Sequence, residues 1–349
     1  MDLAHIKRIL IIRTDKIGDV LLSLPAVIAV REAFPDAYIA MMISPEAKDI
    51  LAGNEYLNEV IIYDKKIKHK NALNTLGFIS QIRKKRFDIA IILHSTTRVN
   101  LIAFLSGIPA RIGYARGKMD LLLSEKLGYT KRFGEKHEAE YCLDVLRYIG
   151  IDAKLSLPKL NIAEKDREKI KAMLEGCGVK EDYKIVIIHP GSSHVSRRWP
   201  VENFSKTADI LVKDMGLHIV LISSQDPEQM RIAGEVRSLM KNEAIDLCGK
   251  TSVGELAALC KRAKLLISNI SGPAHIASSV GTPVISIFSG KDKGLGPVRW
   301  KCLGSNSVYI HKDAGCAQCL LENCEKGFLC LRSITPEEVA EKAKLLMKK

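Results

Sequence analysis

Aromatic side chains are scarce in this sequence, with 2 Trp, 9 Tyr and 8 Phe among 349 residues. None interleaves with the basic runs Lys65-Lys66-Ile67-Lys68-His69-Lys70 and Arg83-Lys84-Lys85-Arg86. That argues against a single-strand nucleic-acid platform, which stacks bases on aromatic faces. No apolar run approaches the roughly 18 residues that span a bilayer. The opening stretch, Met1 to Arg13, carries charges inside its apolar run and has no small-residue cleavage site. It reads as a first strand and not as a signal peptide, so a cytoplasmic protein is expected. No Gly-x-Gly-x-x-Gly follows that strand, which counts against a nicotinamide dehydrogenase. A Walker loop and a Gly-x-Ser-x-Gly elbow are absent too. There is no Asp-x-Asp triplet, so a metal-dependent diphosphate site of that kind is not indicated.

What is present is a regular alternation. Short apolar runs without polar interruption, as at 8–13, 38–43, 60–63 and 87–93, suit strands buried on both faces of a parallel sheet. Helices expected near 19–34 and 72–85 supply the crossovers. The scheme restarts with strands at 184–188, 218–222, 265–268 and 284–288. Between them lie a helix from Pro200 to Met215, stopped by Gly216, and a capping box at Ser252-Val253-Gly254-Glu255. With 47% hydrophobic residues the chain can fill two cores. The fold class is α/β, in two doubly wound domains at 1–165 and 166–334. A C-terminal helix within 335–349 is expected to pack back on the first domain. Net charge is +13, from 53 Lys and Arg against 40 Asp and Glu, and is shared between the halves. Such a field attracts anionic ligands, an acidic membrane surface or nucleic acid.

In open α/β sheets, ligands bind beyond the carboxyl ends of the strands. Four stretches there or nearby carry chemistry. In Arg13-Thr14-Asp15-Lys16-Ile17-Gly18-Asp19, glycine permits a tight turn and Asp19 opens the following helix. Asp19 is either an N-cap or a general base for a hydroxyl nucleophile. Arg13 could hold an anionic substrate. In His189 to Pro200, glycine, the hydroxyls of Ser192 and Ser193, and arginines suit a phosphate cradle. In Ser268 to His275, a helix begins near Pro273, as at an anion-binding helix start, with Gly272 allowing close approach. The last stretch is Cys316-x2-Cys319-x4-Cys324-x5-Cys330. Its spacing fits no standard zinc ribbon, and reduced thiols, disulfides and zinc are weighed in that order.

Together and in this order, these stretches resemble the bacterial heptosyltransferases of glycosyltransferase family nine. The resemblance also takes in Asp88 to Arg98, Arg111-Ile112-Gly113-Tyr114, Gly249-Lys250-Thr251-Ser252 and Ser271 to Pro283. It implies a GT-B fold, two Rossmann-like domains facing a central cleft. It implies inverting, metal-independent transfer of heptose from ADP-heptose to an inner-core lipopolysaccharide acceptor, without a cofactor. The first domain would then bind the acceptor and the second the nucleotide sugar. By the resemblance Asp19 is the general base. Ser192, Ser193 and Arg197 fall on the diphosphate loop, Glu228 near the donor ribose or sugar, and Thr251 near the nucleobase. Ser271, Gly272 and His275 fall on the diphosphate-facing helix start. Arg13, Lys16 and Gly18 are assigned to the acceptor, an anionic glycolipid. Peripheral contact with the inner membrane follows from that partner, and no nucleic acid is expected.

Two departures stand out. The family pattern Ser-Asn-Asp-Ser-Gly-Pro has Ile270 in place of its aspartate, which is expected to help hold the donor sugar. The family's Gly-Pro-Thr-Asp-Pro after Phe288 reads Ser289-Gly290-Lys291-Asp292-Lys293 here. Transfer of another nucleotide sugar, or a relative that binds without turnover, are the competing readings.

Overall fold

The computed structural model describes residues 3, 5–290 and 292–348, so Lys291 of the departing loop lies outside it. The chain forms two compact units, Met1–Asn161 and Ile162–Lys349.

The first unit runs β1 (Arg8–Arg13), α1 (Ile17–Leu22), α2 (Leu24–Ala33), β2 (Tyr38–Ile43), β3 (Glu59–Ile62), α3 (Ala72–Lys84), β4 (Ile89–Ile92), α4 (Thr97–Leu105), β5 (Ala110–Ala115), β6 (Glu125–Gly128) and α5 (Glu138–Tyr148). Its six strands are all parallel, in the order β3-β2-β1-β4-β5-β6. Ile9 to Ile12 and Ile39 to Ile43 are wholly buried, which explains their unbroken apolar character. The single helix expected over 19–34 is two. Ser23 turns its hydroxyl onto the Val20 carbonyl, and Pro25 sits in the first turn of α2, where its missing N–H costs nothing.

The second unit runs α6 (Glu164–Gly176), β7 (Ile185–His189), α7 (Val201–Met215), β8 (His218–Leu221), α8 (Pro227–Leu239), β9 (Ala244–Asp246), α9 (Val253–Arg262), β10 (Leu265–Asn269), α10 (Gly272–Ser279), β11 (Val284–Phe288), α11 (Pro297–Trp300), β12 (Ser307–His311), α12 (Leu329–Arg332) and α13 (Pro336–Met347). Its parallel sheet has the order β12-β11-β10-β7-β8-β9. Counted from each unit's first strand, both sheets read 3-2-1-4-5-6. The strand order reverses between β1 and β4 in one unit and between β7 and β10 in the other. Those are the topological switch points where such sheets take ligands.

Two of the expected helix ends are as the sequence suggests, and α13 has a cap of its own. Gly216 adopts φ 61° as the α7 C-cap, Ser252 and Glu255 close a capping box, and Thr335 caps α13 through the Glu338 N–H. The terminal helix buries Val339, Ala340 and Ala343 within the second unit's core, and α13 packs on α7. Lys344 and Asp214, 3.0 Å apart, tie the two helices, so α13 is an integral part of the second unit. No helix among the described residues is long and apolar enough to cross a membrane.

Candidate active site

At the first switch point the chain builds a buried charge network. Arg13 ends β1 with its side chain 2% exposed. It donates from Nε to Asp15 at 2.8 Å, from Nη2 to Asp19 at 2.6 Å and from Nη1 to Glu138 at 2.9 Å. Glu138, at the start of α5, also accepts from Lys131 Nζ at 2.7 Å. Three carboxylates thus gather around two cations. Such a set persists only because each member is paired, since an isolated buried charge costs several kcal/mol.

This geometry removes one of the two readings of Asp19, the N-cap. The N-cap of α1 is Lys16, and no side chain caps that helix. The Asp19 carboxylate turns to Arg13 instead. Burial raises its pKa above the ordinary aspartate value. Arg13 opposes that shift, and the negative fields of Asp15 and Glu138 add to it. The result is a partly exposed carboxylate of increased basicity beyond the end of β1. Arg13 corrects the sequence expectation. A guanidinium paired with three carboxylates has no fork left for an acceptor anion, and one of those pairs holds Asp19. Lys16 is exposed and Gly18 buried beside it.

His94, just beyond β4, completes this rim. Its Nδ1 lies 3.3 Å from Asp15 and its Nε2 3.1 Å from Arg116. Burial, with Arg13 and Arg116 nearby, pushes its pKa down to about 4, so the ring is neutral at pH 7. Glu138, Lys131 and His94 had no assigned role in the sequence reading. Only the fold brings them to Arg13, from as far as 125 residues along the chain.

At the second switch point the loops after β7 and β10 lock together. Asn269, fully buried at the end of β10, accepts from Trp199 N at 3.0 Å and donates to Pro190 O at 2.7 Å. His189 Nδ1 lies 3.2 Å from both Ser268 Oγ and Ser271 Oγ, and burial pushes its pKa down to about 4. Ser271 therefore reaches inward and leaves the start of α10 without a side-chain cap. The backbone amides there remain available to an anion. Gly272 is half-buried and His275 buried in the first turn of the same helix.

Ser192 is buried and Ser193 exposed, and the Ser192 carbonyl accepts from Arg198 Nε at 2.9 Å. Arg198 is held in turn by Glu228 at 2.7 Å, and Arg231 shares that carboxylate. The two arginines hold the Glu228 carboxyl down at about 2. Glu228 thus braces, through Arg198, the loop after β7 from the start of α8. Thr251 is half-buried just ahead of α9.

Arg197 is the cation with capacity to spare. Among the described residues no hydrogen bond or ion pair engages its guanidinium. It lines a small recess with Ile270, Phe288, Ser289, Gly290 and Asp292. Burial lowers its pKa, while the fields of Glu322 and Asp292 work against that. Asp292 went unremarked as a site residue in the sequence, where Ile270 drew attention.

The four clustered cysteines are free thiols. Among the described residues no three His, Cys, Asp or Glu side chains assemble as a metal set. Two of the four also take part in packing around Gly290. Cys330 Sγ accepts from Gly290 N at 3.4 Å, and a Cβ on Gly290 would stand 2.9 Å from Cys319 Sγ. In the same segment Glu322 accepts from Ser196 N at 2.8 Å, with His194 Nδ1 at 2.9 Å. The cysteine loop thus braces both edges of the recess.

The model of glycosyltransferase family 9 (heptosyltransferase) matches residues 75–329. Lipopolysaccharide heptosyltransferase 3 of Escherichia coli is 29% identical over 285 residues, 79% of this chain and 80% of that one. Lipooligosaccharide heptosyltransferase 2 of Campylobacter jejuni is 24% identical over 339 residues, 95% of this chain and 96% of that one. A family 9 transferase from Veillonella parvula superposes with a TM-score of 0.89 at 24% identity, covering 100% of this chain and 99% of that one. The ADP-heptose heptosyltransferase II of Escherichia coli gives 0.80 at 21%, covering 98% of each. These likenesses establish the two-domain GT-B fold. Since the match spans most of the sequence, the chain is a glycosyltransferase and belongs to glycosyltransferase family 9, the heptosyltransferases.

Proposed function

We propose that this enzyme moves a heptosyl group from ADP-heptose to a hydroxyl of an anionic inner-core lipopolysaccharide acceptor, with inversion and without a metal. The observation that carries the reading is Asp19. Its carboxylate sits beyond β1, partly exposed, 2.6 Å from a buried guanidinium. The acceptor oxygen attacks the anomeric carbon and gives its proton to Asp19. The bond from that carbon to the β-phosphate oxygen breaks, and ADP leaves with the electron pair. Arg197, the serine loop and the amides opening α10 stabilise that anion, the kind of preorganised contribution that is often the largest in catalysis. Thr251 faces the nucleobase and Lys16 draws in the anionic acceptor. Ile270 cannot accept a hydrogen bond from a sugar, so Asp292 across the same recess takes that part. Work on the cytoplasmic face of the inner membrane suits a lipid-anchored acceptor.

Calorimetry with ADP-heptose, and with UDP-glucose, ADP-ribose and NAD as comparators, tests the donor. Selective binding of ADP-heptose supports the reading, whereas preference for another nucleotide sugar moves the assignment, and Ile270 is the observation that favours that second outcome. Asp19→Ala should lower turnover by roughly 10²–10⁴ while donor affinity holds. Retained turnover would remove Asp19 as the base.

A further inference from the structure

The two most exposed large apolar side chains among the described residues lie close together in sequence. Ile67 is 80% exposed and Leu73 79%, and Leu76, one helical turn beyond Leu73, is 56% exposed. Four lysines, Lys65, Lys66, Lys68 and Lys70, surround Ile67 in sequence, and all four are exposed. None of the residues assigned above to the transfer reaction lies in this segment.

The turn that displays Ile67 is well built. Asp64 accepts from the N–H groups of Lys66 and Ile67, both at 3.0 Å, and so spends its charge on the backbone. His69 is buried, stacks on Tyr63 at 5.3 Å, and takes the Asp64 N–H on Nδ1. Arg98 donates to the His69 carbonyl at 2.7 Å, and Asn74 fastens the Lys68 carbonyl to α3 at 2.9 Å. An apolar apex held out by this many bonds is a formed surface. Lys66 is paired with Glu46, which leaves Lys65, Lys68 and Lys70 to face outward.

We propose that the turn 64–71 and the exposed face of α3 form a docking surface for an anionic lipid bilayer. The proposal rests on the reading that the acceptor is lipid-anchored, and it names the face that meets the membrane. Charge selects the occupant. Lysines beside apolar wedges match acidic headgroups over acyl chains, and each lysine near such a surface contributes about 1 kcal/mol. A second copy of this chain would present the same lysines and be repelled.

The test is flotation of the full-length protein with vesicles of phosphatidylcholine alone, or mixed with phosphatidylglycerol, in the absence of any glycolipid. Binding to the mixed vesicles only, weakened by salt, is expected. Ile67→Ser with Leu73→Ser, and separately Lys65→Glu with Lys68→Glu, should each reduce partitioning by roughly tenfold or more. These positions are exposed, so both variants should keep the wild-type melting temperature and ADP affinity. Amide exchange on the wild-type protein gives a readout free of substitutions, with protection over 65–76 appearing only with the mixed vesicles. Unchanged partitioning of the variants, or no protection there, overturns the proposal. So does binding that requires the glycolipid, which would make this an acceptor contact, or a vesicle-free dimer lost in the variants. ADP-heptose calorimetry is independent of all these outcomes, so failure of the docking surface is distinguishable from failure of the donor assignment.

Discussion

Arg13 holds three carboxylates within 2.9 Å and is itself almost inaccessible. Replacing it with Met would leave Asp15, Asp19 and Glu138 crowded around an apolar side chain. Breaking a buried pair from one side costs about 3–5 kcal/mol, and urea denaturation of Arg13→Met should show a loss of that size. A loss within the range of an exposed pair would mean the network opens to water. The same residues govern pH dependence. In the proposed mechanism Asp19 must be ionised to take the acceptor's proton, and burial raises its pKa. Activity should therefore fall on acidification through a pH above the ordinary aspartate range. Glu138→Gln removes a negative field that helps Asp19 keep its proton, so the acid limb of kcat/KM should move to lower pH. Glu138 is a positioning residue, and a limb that stays put would reduce it to structural support. The crowding at Arg13, Asp15 and Asp19 was visible in the sequence because they lie within seven residues. Glu138 was not, since no local pattern announces a partner 125 positions away.

Among the elements of the second unit, the loops after β7, β10 and β11 do the shaping. Their strands were legible from unbroken apolar runs and their turns from glycine, serine and proline. The side-chain clasp through Asn269 was not, because an asparagine at a strand end looks like any turn former until its two backbone partners are known. The recess between these loops gives a prediction. Arg197 and Asp292 share it with Ile270, and Asp292 is its one carboxylate among the described lining residues. If Asp292 meets the sugar, Asp292→Ala should weaken the intact donor by about tenfold, the scale of one charged hydrogen bond. ADP, which lacks the sugar, should bind unchanged. Ile270→Asp in that background should restore donor affinity by returning a carboxylate to the opposite wall. Calorimetry with donor and ADP in parallel reads both. Equal loss for the two ligands would assign Asp292 to loop structure.

At the scale of the molecule, one strand order is used twice. The sequence displayed the repeat as two series of alternating strands and helices. The strands that the reading passed over, β5, β6, β9 and β12, are the ones that fail the unbroken apolar pattern. Glu125 to Gly128 and Ala244 to Asp246 have no fully buried residue between them. They lie on outer positions of their sheets, where one flank has no neighbouring strand. The terminal helix, expected on the first domain, packs on α7 of the second unit instead, because an amphipathic stripe specifies that a helix packs but not on what. In the structure, Val339, Ala340 and Ala343 complete the core formed with α7, and Trp199 donates from Nε1 to the Ile334 carbonyl just ahead of α13. The second unit thereby owns both its core and the loops proposed to hold the nucleotide. Expressed alone, residues 162–349 should fold cooperatively and bind ADP within about tenfold of the full chain, as a domain with its own core can. Ending that fragment at residue 334 removes Val339, Ala340 and Ala343 from the core, and it should lose both the cooperative transition and ADP binding. Circular dichroism melts with calorimetry on the two fragments decide the matter. An ADP-competent fragment without α13 would make the helix dispensable, and a folded 162–349 that fails to bind ADP would mean that residues of the first unit take part in holding the nucleotide.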